Sequence, residues 1–220
     1  QRGFAGNIGT DYFPGVSDTT PLYQTTDGGQ TWQPVTAING PAVKGLCAID
    51  VLKSRFINAG VLDERVVIHA AGRVGSPAFL MRSLDAGATW RSMDLNNQAA
   101  MVLDVKFFDE ANGLLFCGSD AATERSNALI LRTTDGGNTC QPVYRSSRPF
   151  ELMWKASFPT RDVGYATVQN YNPDKAVSQR VVVKTTDGGR SWKELPLVDD
   201  VAVREFGVGF VNPQQGWVGT

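Results

Sequence analysis

TTDGGQTW at residues 25–32 returns three times, as SLDAGATW at 83–90, TTDGGNTC at 133–140 and TTDGGRSW at 185–192. The aspartates Asp27, Asp85, Asp135 and Asp187 stand 58, 50 and 52 residues apart. A weaker echo keeps the same period: GFAGN from Gly3, GLLFCGS from Gly113, GYATV from Gly164 and GWVGT from Gly216, the last three glycines being 51 and 52 residues apart. Self-similarity at a fixed spacing of this length marks a repeat architecture in which each copy is one supersecondary unit.

Each period reads as four short strands. Residues 102–108 (VLDVKFF) are rich in β-formers, DEANG supplies a turn, and GLLFCG, ALILRTT and TCQPVY follow as three further strands. The next period repeats this with ELMWKASF, TRDVG, GYATVQ, RVVVKTT and SWKELPL. Four strands in about 50 residues, with tight turns and no helical period, predict an all-β fold: a β-propeller of four-stranded antiparallel blades, labelled A to D from the axis outward. The blades fall at about 1–36, 43–96, 101–145 and 151–198, with an incomplete one at 204–220.

The repeated octapeptide has a structural purpose. It fills the C–D hairpin turn, where an Asp carboxylate can accept backbone N–H groups and glycines supply positive φ. The Thr or Ser before the Trp adds a hydroxyl, and the Trp opens strand D with a large apolar ring. Asp27, Gly29, Trp32, Asp85, Gly87, Trp90, Asp135, Gly137, Asp187, Gly189 and Trp192 are therefore assigned to folding. Cys140 stands where the third copy would have Trp, and a locally weaker hairpin is expected there.

These octapeptides resemble the Asp-box, or BNR repeat, S/T-x-D-x-G-x-T/S-W. The box occurs in sialidases, xyloglucan-cleaving glycosidases, sortilin-type receptors and proteins similar to the photosystem II stability/assembly factor. The TTDGG…W doublet with its GW/GY/GF strand B looks most like the last group. The resemblance implies six or seven blades in a closed ring, hence about four to five blades here and a fragment of a longer propeller; a small ring of four or five is the alternative. It also implies an exported or periplasmic setting and a non-catalytic module that binds another protein, with a glycan as the second choice.

The bulk properties agree with a globular chain. Among 220 residues, 42 % are hydrophobic and 20 % charged, and the net charge of −1 supplies no one-signed field to hold nucleic acid. Apolar runs are broken well before about 18 residues, so no transmembrane segment is expected. Cys47, Cys117 and Cys140 lie far apart with no CxxC pair, which fits small buried residues rather than a metal site. His69, in RVVIHAAG, reads as a core histidine. No phosphate loop, dinucleotide fingerprint or GxSxG is present, and no metal or cofactor is expected.

Binding residues should collect on the long B–C loops, 7–21, 118–127 and 169–179, and on the D–A connection 144–154. Tyr12, Phe13, Trp154 and Tyr171 are candidate aromatic anchors, with Arg125, Arg145 and Arg148 as polar contacts. No catalytic residue is assigned. A sialidase-like site would need an arginine cluster and a Tyr–Glu pair, and a xyloglucanase-like site two opposed carboxylates. Asp11, Asp18, Asp50, Asp104 and Asp120 are the carboxylates available for that alternative.

Overall fold

In the fourth box, Thr185 Oγ1 donates to Asp187 Oδ1 at 2.8 Å and accepts the N–H of Gly189 at 2.9 Å. Asp187 Oδ1 accepts the Ser191 N–H at 3.0 Å, and Oδ2 accepts the Ser191 hydroxyl at 2.6 Å. The same four bonds recur around Asp27, Asp85 and Asp135. The N–H after each aspartate donates to an upstream carbonyl: Gly28 to Gln1, Ala86 to Val66, Gly136 to Ala111 and Gly188 to Asp162. Each box thus closes its own hairpin and ties it to the segment at the foot of strand B. The two residues after each aspartate have positive φ, which glycine adopts freely; Ala86, at φ 57°, is the exception.

This computed structural model describes residues 1–8, 15, 17–72, 77–174, 179–200 and 202–220, leaving aside the side chains of 54 and 56. The first sheet orders β1 (Gly3–Gly6), β2 (Leu22–Thr25) and β3 (Gln33–Pro34). The second runs antiparallel through β5 (Ala48–Asn58), β6 (Val61–Gly72), β7 (Phe79–Ser83) and β8 (Trp90–Asp94); β4 (Ile38–Asn39) adds to β8 in parallel. The third comprises β9 (Met101–Phe107), β10 (Gly113–Gly118), β11 (Ala128–Thr133) and β12 (Gln141–Arg145), and the fourth β13 (Glu151–Ser157), β14 (Gly164–Asn170), β15 (Val181–Thr185) and β16 (Lys193–Pro196). Strands β17 (Val208–Asn212) and β18 (Gln215–Val218) form the last pair. Strands β9, β10, β13 and β14 follow the lengths read from the sequence closely, and a single 3₁₀ turn, Thr123–Arg125, is the helical element among the described residues.

The A–B connection of the second sheet departs from the brief turns seen elsewhere. Strands β5 and β6 pair over 11 rungs and close through Ala59 and Gly60, both at positive φ. Strand β7 joins β6 only from Ile68 onward, so the hairpin tip stands clear of the sheet with Ile57, Val61 and Leu62 exposed. Arg65 ties its base to Glu110 in the next A–B turn.

The core lies between consecutive sheets. A side chain of the preceding sheet covers the second glycine of three boxes: Phe4 over Gly87, Leu80 over Gly137 and Leu114 over Gly189. Trp90 is 1 % exposed, meets Phe4 edge-on at 5.6 Å and donates Nε1–H to the Gly87 carbonyl. Trp192 packs edge-on against Phe116 and Phe158, whereas Trp32 is 43 % exposed. Cys140 shares a buried cluster with Leu80, Leu115 and Met93, and its box keeps the full Asp135 hydrogen-bond set. All three cysteines are free, and burial raises the Cys140 thiol to about 11.

His69 is fully buried, stacked on Phe107 at 3.3 Å between centroids, and neither ring nitrogen has a partner. Burial, with help from the Arg82 charge, lowers it to about 3 and keeps the ring neutral.

Candidate binding site

The innermost strands are stitched to one another by a device the sequence reading missed. Asp50 on β5 accepts the N–H of Phe107 on β9 at 2.7 Å and pairs with Lys106 at 3.2 Å. Asp104 on β9 accepts the N–H of Ala156 on β13 at 2.9 Å and pairs with Lys155 at 3.5 Å. Ser157 on β13 then accepts the N–H of Phe210 on β17 at 2.9 Å. The signal was present: Ile49-Asp50-Val51 and Leu103-Asp104-Val105 are the same tripeptide motif one repeat apart. Burial raises Asp104 above the ordinary carboxylate range, with Lys155 opposing it.

Above these stitches lies a recess of about 300 Å³ lined by Gly6, Ile8, Leu46, Cys47, Leu103, Trp154 and Lys155. Its walls come from the end of β1, the approach to β5, and the middles of β9 and β13, so it is the axial mouth on the side of the B–C loops. Leu103 belongs to a small cluster with Met101 and Leu152, against which Trp154 and Tyr171 pack. Trp154 meets Phe206 edge-on at 5.9 Å, and Phe206 is 47 % exposed. The Arg204 guanidinium lies 4.8 Å over the Tyr171 ring, and Tyr171 donates its hydroxyl to Gln169. Lys155, paired with Asp104, also donates to the Leu103 carbonyl at 3.0 Å and is the cation of the recess among the described residues.

Trp154 and Tyr171 are thus brought together, while Tyr12 and Phe13 lie outside the described residues. The three arginines sit on the neighbouring loops. Arg125 pairs with Asp120 at 2.9 Å, and Arg145 donates to Asn127 at 3.2 Å. Arg148 is held inside a network: it bridges Glu151 at 2.5 Å and Glu194 at 3.0 Å, Tyr144 donates to Glu194, and Asn170 donates to Glu151. Burial works against the Arg148 charge, but bonds to Glu194 and Glu151 raise its pKa above the usual value. Arg148 therefore braces the D–A connection internally, and Leu46, Cys47, Leu103 and Lys155 line the recess without having been named from loop length.

The carboxylates considered for hydrolysis are engaged elsewhere. Asp50 and Asp104 are the stitches, Asp120 holds Arg125, and Asp18 accepts from Tyr23 and the Thr20 N–H; Asp11 lies outside the described residues.

Comparison with known proteins agrees with this fold. The BNR/Asp-box repeat model matches residues 23–34. No curated protein matches the chain by sequence. YCF48 from Cyanidioschyzon merolae superposes with a TM-score of 0.52 at 12 % identity, covering 91 % of this chain and 61 % of that one. The Niastella koreensis GH74 enzyme gives 0.54 at 17 % identity over 79 % of this chain, and the Xanthomonas campestris GH74 xyloglucanase 0.51 at 16 % over 80 %. The chain spans 61 % of the YCF48 structure and 26 % and 27 % of the two GH74 enzymes. The chain thus carries the Asp-box repeat and has the all-β, propeller-type fold of these structures.

Proposed function

We propose that the chain is a binding module that docks a protein segment at the axial mouth. The carrying observation is the recess itself, an apolar hollow of about 300 Å³ with Trp154 and Lys155 on its wall. Preformed concave sites lined by apolar side chains with a few placed polar groups are the usual form of ligand pockets, and buried aromatics are the usual anchors of interfaces. Its size suits one or two side chains of an extended segment. Phe206 extends the contact outward, and Arg125 and Arg145 supply charges on the neighbouring loops.

Selection from a displayed peptide library tests the reading. Enriched peptides should carry a large apolar residue, and their affinity should fall at least about tenfold, or 1.4 kcal/mol, in Trp154→Ala. Absence of enrichment, or binding indifferent to Trp154→Ala, would overturn it.

The hydrolase alternative requires a pair of uncommitted carboxylates facing a sugar. Asp50 and Asp104 are each spent on a lysine and a backbone N–H, which favours docking. Turnover of a fluorogenic sialoside or xyloglucan oligosaccharide, lost in Asp104→Asn, would replace the docking reading.

A further inference from the structure

The face opposite the axial mouth, where the Asp-box turns lie, holds a second polar site. At two seams an arginine caps the first carbonyl after the box aspartate of the following sheet. At the first seam Arg2 donates to the Ala86 carbonyl at 2.5 Å, and at the second Arg82 donates to the Gly136 carbonyl at 3.1 Å. Arg132 occupies the same place in the repeat as Arg82, three residues before the box aspartate, and Gly188 the same place as Gly136. At this third seam the cap is not made: among the described residues the hydrogen bond of the Arg132 side chain goes to Asn112 Oδ1 at 3.5 Å.

The consequence is a cavity. A β-carbon on Gly136 would collide with the Arg82 guanidinium, whereas one on Gly188 would meet nothing closer than 3.6 Å. The open slot, about 50 Å³, is lined by Phe108, Asn112, Arg132, Arg161, Asp162, Gly188 and Arg190, together with Gly113. That is room for a few waters or one tetrahedral oxyanion. Arg161 is partly committed, to Asp109 at 2.6 Å and the Phe108 carbonyl at 3.3 Å. Arg190 spends one N–H on the Asp187 carbonyl at 2.6 Å, and neither it nor Arg132 has a carboxylate partner among the described residues. Three arginines line the slot, Arg161 already held by Asp109, and Asp162 is the carboxylate of the lining.

We propose that this slot binds inorganic phosphate. Guanidinium groups match phosphate oxygens in geometry and charge, and convergent pairs hold an oxyanion where one would not. Asp162 decides between oxyanions. A carboxylate only accepts, so it repels fully ionised sulfate but takes a hydrogen bond from phosphate, which keeps at least one proton at neutral pH. The seam therefore combines attraction for an oxyanion with a filter for a protonated one. It stands on different residues from the axial docking site, and the two readings fail separately.

Isothermal titration of the whole chain with sodium phosphate and with sodium sulfate, at fixed ionic strength, tests the assignment. Phosphate should bind one-to-one with Kd near or below about 1 mM, and sulfate at least about tenfold more weakly. Arg132→Gln should weaken phosphate about tenfold, and Arg190→Gln, at an exposed position, should do likewise, with an unchanged thermal midpoint checked first because Arg190 also bonds the Asp187 carbonyl. Asp162→Asn should narrow the gap between the two anions. No saturable phosphate binding below about 10 mM, equal affinity for sulfate, or unchanged binding in Arg190→Gln would overturn the proposal.

Discussion

Leu114 on β10 occupies the space over Gly189, so that a β-carbon at Gly189 would overlap both Leu114 δ-carbons. The contact joins the third sheet to the box of the fourth, and Phe4 over Gly87 and Leu80 over Gly137 make the equivalent joint at the two preceding seams. The second glycine of the box is therefore required twice, for its φ of 81° and for the neighbour that packs on it. Gly189→Ala should cost about 2–4 kcal/mol, combining left-handed strain with overpacking. In Leu114→Ala the overlap is gone, so the double variant should be less destabilised than the two singles together, by about 0.5–3 kcal/mol. Urea midpoints of the four proteins measure the coupling; strict additivity would mean the joint is not a contact.

Ala86 is the converse case. It sits at φ 57° where the other three boxes have glycine, with its N–H and carbonyl both bonded. Ala86→Gly keeps those bonds and removes the left-handed penalty, so stability should rise by about 1 kcal/mol, less the extra freedom glycine gives the unfolded chain. A thermal midpoint that falls would show that the Ala86 methyl contributes packing worth more than its strain.

The box carboxylates set the acid limit. Burial pushes Asp187 upward, but bonds from Ser191 and Thr185 prevail and lower it to about 2, against 3.8 for a free aspartate. Asp109, bonded by Arg161 and Asn112, is likewise lowered to about 2. A carboxylate lowered in the folded state stabilises it fully above its unfolded pKa and loses that contribution as pH falls through the folded one. The fold should thus weaken between about pH 4 and pH 2. Asp187→Asn should cost about 1–3 kcal/mol at pH 7 and show a shallower decline on acidification, because one of the titrating groups is gone. An unaltered acid limb in chevron or urea titrations would remove Asp187 from the account.

What could be read from the sequence was what the repeat enforces. The period located all four box turns and the four-strand sheets, because an Asp with hydroxyl residues two before and four after it closes the same hairpin wherever it occurs. The long β5–β6 arm escaped because nothing in the repeat dictates how far an A–B hairpin extends past its sheet. Loop length pointed toward Trp154 and Tyr171, and the structure joins them through Met101, Leu103 and Leu152. Arg148 carries a role that loop position does not announce: it pairs with Glu151 and Glu194, which come from β13 and β16. The floor of the axial recess, Leu46, Leu103 and Lys155, comes from three sheets and has no local signature.

Glu205 carries the last prediction. It lies on the segment between β16 and β17, fully buried, and its carboxylate accepts no hydrogen bond from another residue among those described. Burial raises it to about 7; its own backbone N–H and the charges of Arg180 and Arg204 oppose the rise, and Glu151 reinforces it. An acid raised in the folded state is protonated there while the unfolded chain has already released its proton, so stability declines as pH climbs from the unfolded value, 4.5, toward the folded one near 7. Above that window the folded protein holds an unpaired carboxylate, a burden of about 1–3 kcal/mol. Glu205→Gln removes the titration while keeping the shape. Buried His69 titrates in the unfolded form of both proteins over this range and cancels in their comparison, so the stability of the variant relative to the parent chain should rise by about 1–3 kcal/mol from pH 5 to pH 8. Parallel slopes for the two proteins across that range would place the carboxylate in contact with solvent and remove the buried charge from the account.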